Sequence, residues 1–129
     1  MELLIPAHAT AELVFRVADS DTAVALGSGD VEVLATPRAI AWAEAATCAA
    51  VSEFLPPGDT TVGTAVQVEH LLPSEVGSVV SATARVSGIS GRRVAFAVEL
   101  VNDRGDVVLA GTITRVVVAR ERFSPSVAG

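Results

Sequence analysis

Residues 36–54 read TPRAIAWAEAATCAAVSEF, and residues 61–72 read TVGTAVQVEHLL. The first stretch has the 3.6-residue period of a helix and the second the two-residue period of a strand. Thr36 is a good N-cap, and Pro37 fits the first helical position, where a missing N–H costs nothing. Seven alanines between Ala39 and Ala50 favour helix and let a sheet approach closely. Pro56-Pro57-Gly58 stops the helix near Leu55. At ~100° per residue, Thr36, Ile40, Glu44, Thr47, Val51 and Phe54 fall within one ~80° stripe. Glu44 thus shares a face with apolar residues, and such a carboxylate costs several kcal/mol unless paired or kept partly wet.

Outward from these two stretches, AELVFRV (11–17) alternates as a strand, DSDTAVALGSGD (19–30) is a loop with a short helical turn, and VEVLA (31–35) leads extended into the helix. Beyond residue 72 the strand pattern recurs in VGSVVSATARVSGI (76–89), RRVAFAVELVN (92–102) and VVLAGTITRVVVARERF (107–123). Ser90-Gly91 and Asp103-Arg104-Gly105-Asp106 read as the turns between them. The tail SPSVAG (124–129) is expected to be frayed and disordered. The order is one strand, one long helix, then four antiparallel strands in a meander. A sheet that long buries one face, and the helix alone is available to cover it. The reading is therefore α+β: a single domain over 1–129, with a sheet of five or six strands wrapped around a central helix. One helix cannot cover such a sheet, so the free edge and leftover apolar surface predict at least a dimer.

Composition narrows the function. Half of the 129 residues are apolar, and the aromatics are four Phe, one Trp and no Tyr. No apolar run approaches the ~20 residues of a membrane helix. The N-terminus lacks the basic flank and apolar centre of a signal peptide. Cys48 is the single cysteine, which excludes an internal disulfide or a cysteine-based metal cluster and fits a cytoplasmic home. With two separated histidines and no acidic cluster, no metal site is apparent. A net charge of −6 argues against nucleic acid as the partner. Yet the chain has no Lys, and seven of its nine arginines lie after residue 84. A local Arg cluster can hold phosphate in bidentate forks within an acidic whole.

Three polar residues stand among these core patterns: Thr36 and Glu44 on the helix, and His70 at the end of its strand. A carboxylate, an imidazole and a hydroxyl are the groups that acyl transfer needs. Each also has a bland reading. Thr36 caps a helix in any case, Glu44 pairs with a sheet arginine such as Arg85 or Arg115, and His70 is a rim residue. His8 is read as incidental, Cys48 as core packing, Glu69 as facing solvent or a partner, and Trp42 as a dimer contact.

The sequence resembles the hotdog-fold thioesterases, and within them the fluoroacetyl-CoA thioesterase branch. The match is carried by VEVLATPRAIAWAEAATCAAV (31–51), VGTAVQVEHLLPSEVGSVVSATARV (62–86), SGRRVAFAVEL (90–100) and GTITRVVVARERF (111–123). Its most specific part is a Thr at the helix start, a Glu eight residues on, then Gly-Thr-Ala followed by a strand-borne His. The resemblance implies a catalytic set of Thr36, Glu44 and His70. It also implies substrate contacts from Gly63, Thr64 and the Arg115 of Gly-Thr-x-x-Arg. It implies hydrolysis of an acyl-CoA with no cofactor beyond the CoA of the substrate, in a homodimer, or a tetramer, whose sheets join edge to edge. Oxyanion donors would be Arg38 or later amides, or the Gly63–Thr64 backbone. The fluoroacetyl enzyme carries phenylalanines in the loop before its helix. LGSGDVEV (26–33) has none, with Gly27 and Asp30 near those places, so a different acyl preference is expected. The alternative is a non-catalytic module of the same fold that binds acyl-CoA or a small carboxylic ligand. A hydratase would carry a short Asp- or Asn-with-His motif, which is not found.

Overall fold

The computed structural model describes residues 3–123. The chain runs β1 (Thr10–Arg16), a 3₁₀ turn (Asp19–Asp21), α1 (Ala23–Leu26), α2 (Thr36–Val51), a 3₁₀ turn (Ser52–Phe54), β2 (Asp59–His70), β3 (Val79–Ser90), β4 (Arg93–Asn102), β5 (Val107–Ala119) and a last 3₁₀ turn (Arg120–Phe123). All strand pairs are antiparallel, in the order β1-β3-β4-β5-β2. The expected sheet wrapped on one helix is present; the expected four-strand meander is not. Only β3, β4 and β5 follow one another, while β2 pairs with β5 at the far edge. The physical reason lies in residues 71–78, LLPSEVGS, which separate β2 from β3. That connection is longer than the two to five residues of a hairpin and contains Pro73, so it carries the chain across the sheet instead. The tail 124–129, expected to be frayed, lies outside the described residues.

Helix α2 buries Ala39, Trp42, Ala43, Ala46, Thr47, Ala50 and Val51, at the i, i+3, i+4, i+7 spacing of one face. Its alanines bring the axis close to the sheet. Val80, Ala82 and Ala84 of β3, Val94, Phe96 and Leu100 of β4, and Ile113 and Val117 of β5 are fully buried against it. Each large side chain of this kind contributes roughly 1.5–3 kcal/mol on burial. The buried face is rotated from the stripe drawn on the sequence, so Glu44 lies at its edge and is half-buried.

Three expectations about the helix are corrected by the structure. Trp42 is 8% exposed and stacks on Phe15 of β1, with ring centroids 4.6 Å apart, instead of facing a partner. Cys48 is exposed, not core, because it falls opposite the alanine stripe. The α-helix ends at Val51, and residues 52–54 tighten to 3₁₀ before Pro56. At the turns, Gly91 (φ 61°) and Gly105 (φ 84°) adopt the left-handed backbone that closes the β3–β4 and β4–β5 hairpins.

Candidate active site

Thr36 does not cap α2. Ala35 is the cap residue and makes no side-chain bond, while Thr36 is the first helical residue. Its hydroxyl turns away to His70, with Oγ1 2.7 Å from Nδ1. A hydroxyl can serve the helix or the ring, and here the ring takes it. The helix start is fixed otherwise: Ala35 N–H donates to Asp21 O at 2.9 Å, and the Arg38 guanidinium pairs with Asp21 at 3.0 Å.

His70 ends β2 opposite Leu109. Its Nε2 is buried and has no hydrogen-bond partner among the described residues. Burial lowers its pKa below the ordinary 6.5, and the nearby Leu72 backbone offsets part of that. Thr36 and His70 border a cleft of about 350 Å³, which Val31, Val33, Leu71 and Leu72 also line. The loop before α2 contributes Gly29, Asp30 and Val31 to this cleft, with no aromatic residue.

Glu44 occupies a second cluster, one helix segment away. Arg115 of β5 is 7% exposed and reaches its Oε2 through Nη1 at 3.3 Å. The same guanidinium donates from Nε to Thr61 Oγ1 (2.8 Å) and from Nη2 to Thr61 O (3.0 Å). Of the two arginines expected as partners for Glu44, Arg115 is the one that pairs; Arg85 is exposed. The Glu44 side chain keeps 37% of its surface exposed, so the pair leaves the carboxylate open on one side.

Gly63 lies opposite Arg115 in the β2–β5 ladder. A Cβ built on it would sit 2.8 Å from Glu44 Oε2 and 3.4 Å from Arg115 Nη1. Glycine is what lets the carboxylate lie against the strand. The register then shifts between Gly63 and Ala65, so Thr64 is an extra, bulged residue. Its hydroxyl donates to Thr114 O at 3.3 Å. Gly111, first of the Gly-Thr-x-x-Arg run, is glycine for a different reason: a Cβ there would run into the Gln67 carbonyl of the neighbouring β2 backbone.

The six sequence-predicted residues thus fall into two groups: Thr36 with His70, and Glu44 with Gly63 and Arg115, with Thr64 bulged beside the second. Glu44 is eight residues beyond Thr36, ~12 Å along the helix. Gly63 is seven residues before His70, ~23 Å along the strand. Within one subunit the carboxylate and the imidazole belong to separate clusters. Sequence reading missed Thr61, which holds Arg115. Its signal was its position two residues before Gly63, on the same face of β2. No group of three or more His, Cys, Asp or Glu side chains among the described residues could hold a metal ion. Nor is any described helix long and apolar enough to cross a membrane.

A central helix in a five-stranded antiparallel sheet is the architecture of known thioesterases. A solved structure of the fluoroacetyl-CoA thioesterase FlK superposes with a TM-score of 0.87 at 27% identity, covering 95% of each chain. A hypothetical protein of Thermus thermophilus, a thioesterase superfamily member, superposes at 0.85 with 28% identity, over 92% of this chain and 88% of that one. The class is therefore that of hotdog-fold thioesterases, enzymes that hydrolyse thioesters. The family model of the fluoroacetyl-CoA-specific thioesterase matches residues 17–121. A fluoroacetyl-CoA thioesterase of Streptantibioticus cattleyicolor is 33% identical over 96 residues, 74% of this chain and 68% of that protein. The chain belongs to the fluoroacetyl-CoA-specific thioesterase family.

Proposed function

We propose that this enzyme hydrolyses a small acyl-CoA with Glu44, His70 and Thr36, in a homodimer whose active sites each draw on both subunits. The observation that carries this reading is the separation of the two clusters along β2. That strand is an edge, and Gly63 through Gln67 are exposed on it. A twelve-residue unpaired edge is a ready template for a second copy. Antiparallel pairing of β2 with its twin about Val66 and Gln67 sets Gly63 opposite the partner subunit's His70. The Glu44 cluster of one subunit then meets the Thr36–His70 cluster of the other.

In that composite site Glu44 takes a proton from water as the oxygen attacks the thioester carbonyl carbon. His70 gives a proton to the departing thiolate, acid and thiol leave, and the proton that Glu44 took from water passes to His70, which restores both groups. The Thr36 hydroxyl holds Nδ1 and aims Nε2 at the reacting atoms. Arg115 positions the carboxylate, since Thr61 fixes the guanidinium and Gly63 clears the approach. Water is the second substrate, and no cofactor is needed beyond the CoA of the thioester. The loop at 26–33 offers glycines and Asp30 in place of phenylalanines, which supports an acyl preference other than fluoroacetyl. Solved FlK variants include one in complex with fluoroacetate and CoA and another with acetyl-CoA, which supports CoA as the carrier here.

The test is release of free thiol from a panel of short acyl-CoAs. Glu44→Gln and His70→Ala are each expected to slow turnover by at least ~10²-fold, the low end for general acid–base catalysis. Unchanged rates in either variant would remove that residue from the mechanism.

A further inference from the structure

Four arginines that the chemistry leaves unused gather at one end of the sheet. Arg92 lies in the β3–β4 turn and Arg93 opens β4. Arg120 and Arg122 lie in the 3₁₀ turn that follows β5. Backbone bonds tie these segments together. Val117 N–H donates to Arg92 O at 2.9 Å, Arg93 pairs with Val116, and Arg120 N–H donates to Gly58 O at 2.8 Å. All four residues are exposed. Arg92 has one weak partner, Asp59, at 3.5 Å. Arg93, Arg120 and Arg122 have no carboxylate within 4.0 Å among the described residues. Four guanidiniums against Asp59 and Glu121 make this end positive in a chain of net charge −6. A locally positive end of an acidic protein attracts anions.

We propose that these arginines form a binding site for the phosphates of coenzyme A, the 3′-phosphate and diphosphate of its nucleotide half. The assignment rests on the acyl-CoA reading above and extends it to the far end of the substrate. Arginine suits the ligand, because its planar fork binds phosphate oxygens in pairs. The distance suits it too. Asp59 stands four residues from Gly63 along β2, ~13 Å away, and Arg120 lies at the same end of the sheet, one residue past the Ala119 of β5 that pairs with Asp59. The pantetheine arm puts about thirteen bonds between thioester sulfur and first phosphorus, ~15 Å when extended. A thioester beside Gly63 and Glu44 therefore has an arm long enough to set its phosphates at this end of the sheet. The other hairpin, with Arg104, lies at the opposite end.

The experiment compares acetyl-CoA with S-acetylpantetheine, which keeps the reacting thioester and lacks the nucleotide, in wild type and in Arg93→Gln/Arg120→Gln. The ratio of kcat/KM for acetyl-CoA to that for S-acetylpantetheine is expected to fall at least tenfold in the variant, and its dependence on salt to weaken. Arg104→Gln, a loss of charge at the other end, leaves the ratio unchanged. Calorimetry with adenosine 3′,5′-bisphosphate gives a readout free of catalysis: wild type binds it and the double variant loses at least tenfold in affinity. If wild type cleaves neither thioester yet binds the bisphosphate through these arginines, the phosphate site stands and the hydrolase reading falls. An unchanged substrate ratio with unchanged bisphosphate affinity overturns the phosphate site. So does a variant that loses only the hydrolysis of an acidic acyl-carrier protein.

Discussion

His70 shows how a single ring can carry two opposing influences. Burial withholds water from the charged imidazolium and lowers its pKa below 6.5. A carboxylate brought to its unpartnered Nε2 would raise it. In Glu44→Gln protein burial, offset only in part by the Leu72 backbone, keeps the ring below the ordinary 6.5. The sign for stability follows: the unfolded chain binds the proton first, so His70 costs nothing above ~6.5. It destabilises the fold progressively as pH falls through its lowered folded value. If the site is shared as proposed, a carboxylate beside the ring is expected to set the wild-type midpoint above that of Glu44→Gln. NMR titration of the ring proton reads both, with the His70→Ala spectrum separating it from His8. Equal midpoints in wild type and Glu44→Gln would mean the carboxylate never reaches the imidazole. At this scale the sequence singled out Thr36 and His70, whose side chains the structure joins, and misread Thr36 as the cap of the helix. Thr36 looked like a cap because Thr before Pro at a helix start is a cap pattern. Nothing local in residues 36–40 reports that His70, 34 residues away, competes for the hydroxyl.

Strand β2 is the element on which both clusters depend, and its bulge is the device. The register shift after Gly63 turns the strand locally, while Gly63 itself leaves room for Glu44 Oε2. Gly63→Ala adds one methyl group where that oxygen lies, and its backbone needs no left-handed conformation, so the fold tolerates it. The expected outcome is a fall in kcat of about 10-fold or more, on the scale that misplacing a catalytic group costs, with the thermal midpoint of unfolding nearly unchanged. Paired kinetics and thermal melts check this, and full activity in the variant would show that the carboxylate's seat is not the catalytic one. The strands themselves were legible because period-two alternation needs only neighbours. Their order was not, since pairing of β2 with β5 depends on the span of residues 71–78 and on which edge buries more surface. The helix face was drawn from polar residues and so came out rotated. The alanines, which fill the true face, carry little hydrophobic contrast.

At the scale of the whole molecule the question is whether one subunit is a complete enzyme. About 12 Å of helix separates Glu44 from Thr36, and about 23 Å of strand separates His70 from the Gly63 that Glu44 lies against. Side chains reach a fraction of that, so a shared site requires either a large rearrangement or a second copy. The two alternatives differ in what mixed dimers do. Glu44→Gln and His70→Ala homodimers are both inactive if each residue is essential. In a heterodimer of the two, a site built across subunits joins the intact Glu44 of one chain to the intact His70 of the other, and its twin carries both lesions. Random exchange of equal amounts makes half of all dimers mixed, each with one sound site of two. Co-refolding the two inactive variants is therefore expected to restore about a quarter of wild-type activity, on the general pattern of a symmetric interface shared by both protomers. A site contained within one chain leaves every site in the mixture with a lesion, and activity stays at the level of the separate variants. The edge strand, the exposed glycine and the unpartnered imidazole have a common explanation only under the first outcome.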